Sequence, residues 1–107
     1  MKILREAKII APAEYNHRPL CNALVDAFGG VTVTLGNGEW RDSDMKIERE
    51  RVRIIYVAAE PTTYNNARIR DIALKFVGQG MQQQAVYIVG LSGKAVLYEV
   101  GADYKWE

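Results

Sequence analysis

His17 and Cys21 stand four residues apart, a spacing that brings both to one face of a helix. A thiol beside an imidazole is a nucleophile–base arrangement when the imidazole takes the proton or a nearby cation lowers the thiol pKa. Cys21 falls among apolar residues, so a small buried thiol is the preferred reading. A second set with chemical content is Tyr15-Asn16-His17-Arg18, matched further on by Thr62-Thr63-Tyr64-Asn65-Asn66; each run precedes a helical pattern. Helix N-termini with an added arginine suit an anion, and His17 with Tyr64 or Arg18 would be the pair for acid–base work. Capping and loop chemistry draw on the same residue types. A third set is Arg49, Arg51 and Arg53, which alternate with Glu48 and Glu50 and so line one side of a strand.

Several chemistries have no residues to carry them. There is one Cys and one His, which leaves no zinc set and no internal disulfide. No phosphate-binding Gly-x-x-x-x-Gly-Lys loop, dinucleotide fingerprint or Gly-x-Ser-x-Gly elbow is present. No cofactor is expected. The 107 residues suffice for one domain, and the hydrophobic fraction of 49% with 25% charged residues excludes a disordered or collagenous chain. A net charge of +1 without a Lys/Arg run argues against nucleic-acid binding. No apolar stretch reaches membrane-spanning length. The mixed charges of Met1–Glu6 do not read as a secretory signal, so a cytoplasmic location is expected.

The elements that position these residues follow from periodicity. Ile3 to Pro12 reads as a strand centred on Ala7 to Ala11. Leu20, Leu24 and Phe28 mark a helix that Gly29-Gly30 ends. Val31 to Leu35 alternates as a strand. Gly36-Asn37-Gly38 would be a hairpin turn or a bulge, and a longer strand running on through Trp40 and Arg41 is preferred. Asp42-Ser43-Asp44 supplies a turn, and Lys46 to Ala59 returns as a long strand. Ile69, Ile72, Ala73, Phe76 and Val77 form the buried stripe of a second helix that stops at Gly78-Gln79-Gly80. Ala85 to Leu91 and Ala95 to Val100 are two more strands about a Ser92-Gly93 turn, and a tail carries Tyr104 and Trp106.

The order predicts an α+β fold: a ferredoxin-like βαββαβ sandwich with one added C-terminal strand, its antiparallel sheet covered by two helices on one face. Central first and third strands running parallel would bring both loops before the helices to one sheet edge, joining Tyr15, Asn16, His17 and Arg18 to Tyr64 and Asn66. Pairing Asp42 near Met45 sets Leu35 against Val52 and Val33 against Ile54. It leaves Thr34, Arg51, Arg53, Ile55 and Val57 on the helix-free face, joined by Trp40 and Arg49 if no bulge intervenes.

Phe28-Gly29-Gly30-Val31-Thr32, Trp40, Arg49-Glu50 and Gln84-Ala85-Val86 resemble the landmarks of an uncharacterised family of small bacterial proteins: Phe-x-Gly-x-Thr, a Gly-x-Trp step, an Arg-Glu step and a Phe-x-Gln-x-x-Val stretch. The resemblance covers about residues 20 to 90. The Phe76 to Gln84 spacing is longer here. A protein carried by a bacterial virus would look the same. The family implies a unit of fold and no activity.

A bare sheet face bearing Ile55 and Val57 calls for a cover, which in this architecture is most often a second copy of the chain. The leading expectation is therefore a non-catalytic binding or interaction module that forms a homodimer through Thr34, Trp40, Arg49, Arg51, Arg53 and Ile55. The competing reading is a small enzyme, or a binder of a small anionic ligand, at the helix N-termini. A protein partner is a further expectation for either surface.

Overall fold

The computed structural model describes residues 1–100, so the expectations for Tyr104 and Trp106 lie outside the described residues. The chain runs β1 (Arg5–Pro12), α1 (Arg18–Phe28), β2 (Thr32–Arg41), β3 (Ile47–Ala59), α2 (Thr63–Ala73), a π-helical continuation (Leu74–Gln79), β4 (Ala85–Val89) and β5 (Ala95–Glu99). The strands form one sheet in the order β2-β3-β1-β4-β5. This is the ferredoxin-like arrangement with β5 added beside β4.

Every strand pairing is antiparallel, including β1 with β3. The expected parallel central pair is thus corrected. Each helix carries the chain past one intervening strand: α1 joins β1 to β2 across β3, and α2 joins β3 to β4 across β1. The parallel relation that a crossover imposes therefore holds between β1 and β2, and the strand between them runs the other way.

Alternation decides what each strand buries. Ala7, Ile9 and Ala11 of β1, Ile55, Val57 and Ala59 of β3, and Val86 and Ile88 of β4 pack with Leu20 and Leu24 of α1 and with Ile69, Ala73, Leu74 and Val77. Burying each Ile or Leu contributes about 1.5–3 kcal/mol. Ile72 and Phe76 complete the predicted stripe, half-buried against that core.

The helix ends obey their local signals. Asn16 Oδ1 accepts the Arg18 N–H at 3.0 Å and Pro19 occupies the first turn of α1. Gly29, at φ 95°, closes α1 by donating to the Val25 carbonyl. Thr62 caps α2 by accepting the Asn65 N–H. At the far end the Gly80 N–H reaches back five residues to the Lys75 carbonyl at 2.9 Å, which widens the last turn. The π-helical turn, Leu74–Gln79, overlaps the start of the stretch between Phe76 and Gln84, where the spacing exceeds the family pattern.

β3 has 13 residues, but β1 pairs only with Val52 to Ala59. Ile47 to Arg51 therefore pair with β2 alone, and the hairpin projects as a two-stranded arm beyond the helices. Gly36-Asn37-Gly38 is neither turn nor bulge: the ladder is continuous from Thr32 opposite Tyr56 to Arg41 opposite Ile47.

Candidate functional site

The register of that ladder fixes which side chains can meet. Val33 stands opposite Ile55, Leu35 opposite Arg53 and Trp40 opposite Glu48. This is one residue away from the expected pairing, and the turn explains the shift. Asp42 pairs with Lys46, its N–H donating to the Lys46 carbonyl at 2.9 Å. Its Oδ1 accepts the Asp44 and Lys46 N–H groups, and Met45 adopts φ 64°. The left-handed Met45 is the extra residue in the turn.

The slip turns over four of the six residues of the expected interface: Arg49, Arg51, Arg53 and Ile55. Ile55 and Val57 lie fully buried under the helices, so neither is on the helix-free face. Arg49, Arg51 and Arg53 share the side of Ile55. Thr34 and Trp40 do lie on the uncovered side, together with Glu48 and Glu50. The segregation of arginines from glutamates along β3 is real; its orientation relative to the helices is reversed. Arg49 donates to Glu39, directly across the strands, as a cross-strand pair.

The antiparallel central pair also separates the two loops. The start of β1, Arg5, stands beside Ala59, and its end, Pro12, beside Val52. Tyr15, Asn16, His17 and Arg18 thus follow one end of the sheet, and Tyr64 and Asn66 the other, on the order of 25 Å apart by strand rise. The expected joint pocket is not formed. Asn66 instead serves structure: its Oδ1 accepts the Leu91 N–H at 2.9 Å, tying α2 to the β4–β5 turn. A methyl group on Gly90 would come 2.7 Å from that oxygen. Tyr64 is exposed and stacks with Arg68, whose guanidinium lies 5.3 Å from its ring and 5.0 Å from that of Phe28. Arg5, Thr62, Thr63 and Ser92 surround a shallow cleft of about 430 Å³ at this end.

At the opposite end the structure joins two sets that the sequence pattern kept apart. Arg53 and Arg51 face the helix side, and the β1–α1 loop crosses beside them, the Ala13 N–H donating to the Arg51 carbonyl at 3.0 Å. Burial, then Arg53 and Arg18, lower the His17 pKa below its ordinary 6.5. Burial pushes the Cys21 thiol up, against the opposing pull of Arg18 and Arg53. Cys21, half-buried, is therefore a poor thiolate. Among the described residues no three His, Cys, Asp or Glu side chains assemble a metal set. No described helix is long and apolar enough to cross a membrane.

The uncovered face holds residues that sequence reasoning missed. Leu97, Tyr87, Ile10, Ile54 and Thr34 form one row straight across all five strands. The adjacent row, Val96, Ile88, Ile9, Ile55 and Val33, points under the helices. On the uncovered row Leu97 is 58% and Tyr87 43% exposed, and Trp40 nearby is 46% exposed. Trp40 lies over Gly38, its ring 3.5 Å from the position a Cβ there would take, with Val52 beneath. Lys8 sits 5.9 Å from the Tyr56 ring on the same face. The signal was available in β4, where Tyr87 interrupts the buried Val86 and Ile88.

A family model described as "Protein of unknown function (DUF3574)" matches residues 24–95. No curated protein matches the chain. A solved structure of a phage SAM lyase in complex with S-methyl-5′-thioadenosine is similar at a TM-score of 0.66 and 11% identity, over 99% of this chain and 95% of that one. At that identity the likeness is one of fold.

Proposed function

We propose that this chain, which belongs to the DUF3574 family, is a non-catalytic interaction module that pairs with a second copy of itself through the uncovered sheet face. The observation that carries this reading is the row Leu97–Tyr87–Ile10–Ile54, apolar or aromatic across four adjacent strands and covered by neither helix. Size supports it. The five strands, of 8, 10, 13, 5 and 5 residues, present on the order of 650 Å² with the arm included, at about 4.8 Å spacing. A standard interface takes about 600–1,000 Å² from each partner. A two-fold axis through the row would set the same apolar centre against itself, as an isologous contact requires. Light scattering on wild-type and Leu97→Lys protein tests the reading.

The second reading, a small enzyme or binder of a small anion, draws support from the gathering of His17, Arg18 and Arg53. The phage SAM lyase is an enzyme on this fold, which makes the fold compatible with catalysis without assigning residues to it. The high thiol pKa of Cys21 and the separation of Tyr64 from His17 favour binding over chemistry at this position.

A further inference from the structure

β5 extends the sheet one strand past β4, and the helix layer covers it only in part: Val96 and Tyr98 point to the helix side yet stay half-buried. The space left there is a cavity of about 180 Å³ between α2 and the β4–β5 hairpin. Ile88, Val96 and Tyr98 give it an apolar lining, and Asn66, Arg70 and Lys94 a polar one. Asn66 is held in place. Its Oδ1 accepts the Leu91 N–H at 2.9 Å, while its Nδ2 has no partner among the described residues. An amide fixed in this way presents a donor whose direction is set before any ligand arrives. Asn66 and Ser92 also line the wider cleft of about 430 Å³, where Arg5 is the cation, so the two spaces adjoin. Neither lining contains an acid, and among the described residues Lys94 and Arg5 pair with none.

We propose that this groove binds a small organic anion built on a six-membered ring. The ring lies in the smaller cavity, and its anionic group, carboxylate or phosphate, meets Asn66 Nδ2 and Lys94. Size sets the ring. A cavity of about 150 Å³ holds benzene, so one of about 180 Å³ holds such a ring with little room to spare. The ring displaces water from Ile88 and Val96 and packs against the Tyr98 ring. Charge sets the substituent. A lysine without a counter-ion and a fixed amide donor are both met by one anionic oxygen cluster, through charge-assisted hydrogen bonds. A neutral ring would leave Lys94 unmatched, and a bare anion would leave the apolar lining wet, so the ligand carries both parts. A longer substituent passes Asn66 into the wider cleft, towards Arg5. The groove opens on the helix side of the sheet, so its ligand does not compete with a partner on the uncovered face.

The test is an NMR titration of the whole chain with benzoate, phenyl phosphate and acetate at constant ionic strength, chloride making up the balance. Benzoate or phenyl phosphate should shift the amides of Leu91, Lys94 and Val96 and saturate, with acetate at least about tenfold weaker. The tighter of the two ring compounds identifies the anionic group, and either order supports the site. Asn66→Asp keeps an acceptor for Leu91 and sets a negative charge in place of Nδ2, so the folded variant should bind at least about tenfold more weakly. Lys94→Gln, altered at an exposed side chain, should lose affinity in the same direction and gives the reading should Asn66→Asp not fold. Shifts without saturation, acetate bound as tightly as benzoate, or wild-type affinity in either folded variant overturn the site.

Discussion

Tyr87 of β4 stands directly opposite Leu97 of β5, and both side chains face away from the helices. Tyr87 also neighbours Ile10 on its other side, so the pair is the edge of an apolar row and not an isolated contact. Single exposed hydrophobic residues need no explanation, but a contiguous set on one bare sheet does. A charge at Leu97 should change folding stability by no more than about 0.5 kcal/mol, since the side chain is exposed within one chain. Urea denaturation of the variant under dilute, unassociated conditions checks this.

The Asn66–Leu91 hydrogen bond predicts a stability role for a residue that also resembles a ligand-binding one. Asn66→Ala leaves the half-buried Leu91 N–H without its acceptor and should cost about 1–3 kcal/mol. Asn66→Asp keeps an acceptor oxygen and should cost less. Denaturation midpoints of the two variants, with equal m-values, check the ranking.

Gly80 is required by space and not by its backbone angle. A Cβ there would fall 2.5 Å from the Phe76 carbonyl oxygen. Gly80→Ala must shift the π-helical turn that buries Leu74 and Val77, with an expected loss of about 1–3 kcal/mol. Thermal unfolding monitored by circular dichroism measures it.

His17 predicts an acid-side slope. Burial and the Arg53 and Arg18 charges hold its folded pKa below the ordinary 6.5, so the unfolded chain binds the proton more readily. The His17 contribution to stability is present above pH 6.5 and is lost as pH falls through the interval between 6.5 and the lowered folded value. Glu50 acts in the opposite sense: burial, then Glu14, raise its folded pKa above 4.5, so its contribution weakens as pH rises through that interval. Stability measured from pH 4 to 8 should fall less steeply below pH 6.5 in His17→Gln than in wild type. Identical profiles would contradict the assignment.

Periodicity and caps revealed the element order, both helices and the core stripe, because burial on one face writes itself into spacing. The pairing of β2 with β3 was misread for a physical reason. Their shared arm lies beyond the helices, so both of its faces are wet and apolar content does not mark the inner one. At the root of the arm, Leu35 at 55% exposure stands opposite Arg53, a pairing that hydrophobic matching rejects. The decisive residue was Met45, whose left-handed conformation adds one residue to the turn. That single slip moved the arginines from the bare face to the helix side. The nearness of Arg53 to His17 and Arg18 is therefore not legible in the sequence pattern. Its other cause is the antiparallel β1–β3 pair, which carries Tyr64 and Asn66 to the far end.

The measurement that bears most directly on the interaction-module reading is the solution mass by size exclusion with light scattering, across a concentration series reaching tens of micromolar. The account predicts twice the 12.0 kDa of one chain for wild type and a single-chain mass for folded Leu97→Lys. A wild-type mass of 12.0 kDa throughout the series, or an unchanged assembly in Leu97→Lys, would contradict it.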